Sequence, residues 1–276
     1  MKLELDHVEK PLRRLRKQLS AFPSNPRPED VHSLRTHMRR LEATLAALIL
    51  DQDKEPRRLM KAITPVRKAA GKVRDMDVLI GDVLTLADSH ESEGLVRLVE
   101  HLAKMRVKNA RKLCEVVSGK RKEARRGLKH SSRLIEKTLK RDSSATNGEE
   151  APQILISELS HWPSLDESNL HAFRIRIKEL RYTLQLSQEP DAKLVDQLGD
   201  VRDAIGEWHD WIELRKIANK VLDPGSDGEV LLRIEEIGKK KFELALEIAN
   251  KVQELYFSRA TGRAGSKRVI QMAAGF

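Results

Sequence analysis

Along Leu170 to Leu184 the apolar residues Leu170, Phe173, Ile177, Leu180 and Leu184 recur three and four positions apart. That spacing predicts a helix with one face against a core. One position further on runs a second row, His171, Arg174, Lys178 and Arg181. The same phasing occurs 139 residues earlier, where Val31, Leu34, Met38, Leu41 and Leu45 form the apolar row and His32, Arg35 and Arg39 the basic one. Glu42 then stands where the later copy has Arg181. A lone cation beside a core is usually an edge residue whose stem snorkels outward. A whole register of them, present twice, predicts helix flanks facing something anionic and an internal duplication.

The rest of the chain reads as helix too. Residues 3 to 20 are amphipathic around Leu12, Leu15 and Leu19, with Pro11 as a place where the helix could begin. Pro28-Glu29-Asp30 opens the helix of the first copy, with proline in the first turn and acids at the positive end of the dipole. Residues 55 to 87 are helical with a bend expected near Pro65 and Gly71, and residues 91 to 141 read as two helices broken near Ser118-Gly119. A short helix, Gln153 to Trp162, stops at Pro163, and Ser164-x-x-Glu167 reads as a capping box before the second copy. Residues 191 to 222, with a kink expected at Gly206, and 229 to 257 complete the helices. No segment alternates like a strand, so the fold class is all-α. The expected layout is a first helical half (1–141), a polar linker (142–152), a second half (153–258) and a basic flexible tail (259–276).

Charge sharpens the picture. A net charge of +10 predicts affinity for a polyanion, whether nucleic acid, anionic membrane or a phosphate polymer. From His101 to Arg141 there are fifteen Lys or Arg against three Glu, so the excess sits in this stretch and the remainder is near neutral. Lys104, Lys108 and Arg111 share one face there, as do Arg121, Arg125 and Lys129. Cys114 is the only cysteine, so no intrachain disulfide forms. With no signal-like or membrane-spanning run in the sequence, the expected location is cytoplasmic.

His171-x-x-Arg174-Ile175-x-x-Lys178-x-Leu180-Arg181-Tyr182 resembles the second signature of the CHAD family, the conserved histidine α-helical domain. His32-x-x-Arg35-x-x-x-Arg39-Arg40-Leu41 resembles the first. Gly71-Lys-Val-Arg74-Asp75 and Gly206-Glu-Trp-His209-Asp210 are similar to the segments that follow each signature. The likeness spans about residues 3 to 258, with Glu42 and Thr36 as departures in the first copy. It implies two pseudo-repeated helical bundles around a central basic groove that binds inorganic polyphosphate. It also implies association with polyphosphate granules or a polyphosphate-metabolising enzyme.

The residues read alone agree with a phosphate ligand. Arginine offers forked donors to phosphate oxygens and lysine a mobile point charge. Sequence-tolerant binding of single-stranded nucleic acid usually adds aromatic platforms. This chain has only ten aromatics, and Trp208 and Trp211 read as core, so nucleic acid is expected only as a weaker polyanion competitor. Backbone binding of a duplex, which needs no stacking, stays open as the alternative. No P-loop, nucleophile elbow or H-E-x-x-H motif is present, so a non-catalytic binder without cofactor or metal is expected. Asp75, Asp77, Asp203 and Asp210 read as partners of Arg74, Arg202 and His209. The expected anchors are Arg35, Arg39, Arg174, Lys178 and Arg181, supported by Arg40, Arg67, Arg74, Arg202 and the five cations Lys104, Lys108, Arg111, Arg121 and Arg125. His32, His171 and His209 either touch phosphate or fix helix packing.

Overall fold

The structure, a computed structural model, describes residues 5–48, 50, 53–87, 92–141, 150–185 and 191–258. Within them the chain forms α1 (Leu5–Ser20), α2 (Pro28–Ala47), α3 (Lys54–Ala87), α4 (Glu93–Arg141), α5 (Glu150–Ser160), α6 (Leu170–Leu184), α7 (Ala192–Val221) and α8 (Gly228–Val252). A π turn, Gln253–Phe257, closes the last helix. The fold is all-α. Among the described residues no helix is long and apolar enough to cross a membrane.

Both apolar rows of the repeated pattern are core, since none of their ten side chains is more than 3% exposed. The first row joins Leu15, Leu19, Ile63, Val66, Leu113 and Leu128 in a core shared by α1, α2, α3 and α4. The second joins Leu159, Leu198, Ile205, Ala249 and Phe257 in a core of α5, α6, α7, α8 and the π turn. A third core lies beyond the two expected bundles. Leu79 and Val83 of α3, Leu98 and Leu102 of α4, Trp211 and Leu214 of α7 and Ile234 of α8 pack together. The far ends of two long hairpins, α3–α4 and α7–α8, thus bury one another.

Polar contacts pin these hairpins. Arg106 donates from Nε to Asp77 at 2.8 Å and from Nη2 to the Pro26 carbonyl at 2.8 Å, so Asp77 is a partner of α4 and not of Arg74. Arg97 grips the buried Asp227 carboxylate at 2.7 and 2.8 Å, and Asp227 also accepts from the Asp223 amide.

Two expected helix boundaries are absent. α1 runs through Pro11, whose buried ring packs where an exposed proline would only remove a hydrogen bond. α3 is continuous through Pro65 and Gly71 and α7 through Gly206, the places where bends within a helix were expected. α4 is one helix of 49 residues across Ser118-Gly119. A glycine there costs about 1 kcal/mol, which the buried run Leu113, Val117, Ala124 and Leu128 against α1, α2 and α3 outweighs. α6 starts at Leu170 behind Asn169, too late for Ser164 and Glu167 to form the expected box. Asp166 instead accepts from the Ser168 and Asn169 amides. The expected opening of α2 is met: Pro28 leads, Glu29 and Asp30 lie in the first turn, and Asp30 accepts from the Arg27 amide at 3.0 Å. The tail and residues 142–149 of the linker lie outside the described residues, while residues 150–152 already belong to α5.

Phe173 is fully buried with its ring edge-on to Trp162 at 5.6 Å between centroids. Phe173→Ala is expected to lower stability by about 3–5 kcal/mol, measured by denaturant unfolding.

Candidate functional site: a cationic seam between two helices

α2 and α6 pack against each other, and their charged rows meet where the two apolar rows turn inward. Arg35, Arg39, Arg174, Lys178 and Arg202 lie close enough to oppose one another's charge. Lys178 shows the strain most clearly. Burial, then Arg174, Arg39, Arg35 and Arg202, push its ammonium from the usual value near 10.5 down to about 7. Burial is also the leading cause that lowers Arg35, Arg174 and Arg181.

The two halves contribute matching parts. Arg35 is drawn most strongly by Asp75 of α3, and Arg174 by Asp210 of α7. Gly71 lies under the Arg35 guanidinium, and Gly206 under that of Arg174. Arg174 Nε donates to the Arg202 carbonyl at 2.9 Å, and Arg181 Nε to the Val195 carbonyl at 3.1 Å. Two of the expected anchors are therefore fastened to the backbone of α7.

Carboxylates stand behind these cations. Asp75, open at the surface yet crowded on its inner side, is raised by burial and held back by Arg35. Burial raises Asp210 to about 6, against the pull of Arg174 and with help from Asp82 and Asp75. Asp82 is likewise raised to about 6, by burial and by Glu207. Arg202 chelates Asp203 through both Nε and Nη2, as the sequence suggested for that pair.

The histidines behave as one group. Burial lowers His32, with Arg74, Arg35 and Arg202 adding to it. Burial lowers His171 and His209 as well. The rings of His171 and His209 lie 4.6 Å apart between centroids, tilted by 34°, a pairing the sequence did not announce because it joins α6 to α7. In all three rings the surroundings favour the neutral form.

Other expected ligands are placed elsewhere. Arg67 lies in the seam, but its Nε is 2.6 Å from Glu42, so the acid in the first copy pairs with this cation. Arg40 is exposed and bears on His37 beside Arg14, toward α1. The charges acting most strongly on the seam come from α2, α3, α6 and α7. Lys104, Lys108, Arg111, Arg121 and Arg125 are not among them, because α4 packs chiefly on α3 and α1. Lys104 pairs with Glu100 instead. A cavity of about 270 Å³ between α7 and α8, lined by Trp208, Trp211, Phe242 and Glu235 among others, includes none of the expected phosphate ligands. Trp208 and Trp211 are buried, as core residues should be.

The fold is an all-helical one in which α2 and α6 bring their basic rows together. The sequence matches the CHAD domain family over residues 6–219, and the chain belongs to that family. The structure is similar to the crystal structure of the CHAD domain from the plant Ricinus communis, with a TM-score of 0.61. The likeness covers 91% of this chain and 86% of that one at 16% identity, which establishes a shared fold. No curated protein matches the chain.

Lys178 carries the electrostatic strain of the seam, and its replacement tests that directly. In the free protein its folded value lies below its unfolded value, so its destabilising effect is largest at low pH and fades as pH rises from about 7 toward 10. Lys178→Met is expected to raise the melting temperature at pH 6 by about 2–4 °C, with a smaller gain at pH 9, followed by calorimetry.

Proposed function

We propose that the seam between α2 and α6 binds inorganic polyphosphate non-covalently, without converting it chemically. The observation that carries this reading is Lys178, crowded by four arginines and held near neutrality. A free protein gains nothing from such crowding. A polyanion threaded along the two rows would restore the charge of Lys178 and relieve the repulsion among Arg35, Arg39, Arg174 and Arg202. The matched arginines offer forked donors at several points along a chain of repeated, identical charges. Affinity then comes from many modest contacts and weakens with salt. The scarcity of aromatics supports phosphate over stacked bases. A chain held this way is available for storage in granules or for delivery to a polyphosphate-metabolising enzyme.

Titration with long-chain polyphosphate, and separately with RNA of equal charge, tests the reading. Arg174→Ala/Lys178→Ala is expected to lose roughly 100-fold or more in polyphosphate affinity, at about 1.5–3 kcal/mol for each charged contact. Equal affinity for both polymers, untouched by the double substitution, would show instead a generic polyanion surface.

Acidity provides a second test. Lys178 and the three lowered histidines all gain protons on binding an anion, and protonation of Asp210 removes a competing charge. Every contribution has the same sign. Affinity is expected to rise by roughly tenfold or more from pH 8 to pH 6, with proton uptake visible by calorimetry in buffers of different ionisation heat. A flat profile would count against Lys178 as a ligand.

A further inference from the structure

We infer that Gly206 and Gly199 are positioning residues of the seam: each leaves bare the α7 carbonyl one turn before it, and an arginine of α6 is fastened there. The inference rests on the polyphosphate reading for its functional meaning, but its geometry stands by itself.

The carbonyl that receives Arg174 belongs to Arg202, four residues before Gly206. The carbonyl that receives Arg181 belongs to Val195, four residues before Gly199. Inside a helix a carbonyl already accepts from the amide four residues on, and its second lone pair is left over. The Cα–Cβ bond of a helical residue tilts toward the N-terminus, so the side chain at that fourth position covers this lone pair. Glycine removes the cover. A Cβ at Gly206 would lie 2.5 Å from Arg174 Nη2, and one at Gly199 would lie 3.3 Å from Arg181 Nε. In both places the guanidinium occupies the space a side chain would take.

The chain contains its own control. Gly71 lies 135 positions before Gly206 and sits under Arg35, with a Cβ there 2.6 Å from Nη1. The same offset from Gly199 lands on Thr64, and there the first copy carries Glu42 in place of Arg181. Where the arginine is kept the glycine is kept, and where the arginine is lost the glycine is lost with it. A glycine inside a long helix is otherwise unfavourable, so two in eight residues of α7 call for a reason beyond helix formation.

Fastening at Nε has a chemical consequence. It uses the inner donor of each guanidinium and fixes the plane of the fork, so less motion is lost when phosphate binds.

The test uses the full chain carrying Gly206→Ala or Gly199→Ala, with Gly81→Ala as control because a Cβ there meets nothing within 4 Å. Nitrogen-proton NMR of the arginine Nε groups reports the fastening directly. Gly206→Ala is expected to abolish the exchange protection of Arg174 Hε alone, and Gly199→Ala that of Arg181 Hε alone. Polyphosphate affinity should fall roughly tenfold for Gly206→Ala and remain unchanged for Gly81→Ala. Melting temperatures should stay level or rise, since alanine favours helix over glycine. In an Arg174→Ala background, Gly206→Ala should cost nothing further, because the two act as one unit. Retained Arg174 protection, or losses that add in full, would overturn the inference. If Gly206→Ala does not fold, Gly199→Ala, with the wider contact, decides by the same two readouts. Lost protection with unchanged polyphosphate affinity would overturn the positioning role, whereas no measurable polyphosphate binding by the unsubstituted chain would overturn the polyphosphate reading and leave the fastening standing.

Discussion

Like charges repel, and the structure is arranged around holding several of them together. Arg35, Arg39, Arg174, Lys178 and Arg202 crowd one seam, which no local interaction within α2 or α6 would favour. The crowding persists because each helix is fixed from behind by a row of fully buried apolar side chains. Burying a large aliphatic or aromatic side chain contributes about 1.5–3 kcal/mol, and each helix has five such positions. Carboxylates on α3 and α7 offset part of the repulsion without reaching neutrality. The apolar rows hold the helices, and the helices hold the charges.

The two copies are not equal. In the second, Arg174 and Arg181 are fastened to backbone carbonyls and keep their charge toward the seam. In the first, Glu42 takes the place of an arginine and pairs with Arg67. The seam is therefore stronger in cations on the α6 side, although both helices carry the same apolar register.

Much of this was legible in the sequence, for identifiable reasons. Apolar spacing reports directly on which face is buried, so Val31 to Leu45 and Leu170 to Leu184 were readable as core helices. The basic rows were legible because they keep a fixed angle to those faces. What periodicity does not encode is which helix faces which. The contact of His171 with His209 and the bond from Arg106 to Asp77 both cross between helices, and so escaped. The cations of α4 misled for the same reason: composition counts charge but not direction. Ser118-Gly119 looked like a break because local propensity disfavours glycine, whereas packing along α4 overrides it. The clue to the real role of Gly206 was its matched distance from Gly71.

The third core has a thermodynamic consequence. Its residues come from α3, α4, α7 and α8, the same helices that supply walls to the first and second cores. Neither of those two cores can melt without severing helices that build the third. The chain, for all its internal symmetry, should therefore denature as one cooperative unit, with calorimetric and van't Hoff enthalpies in agreement.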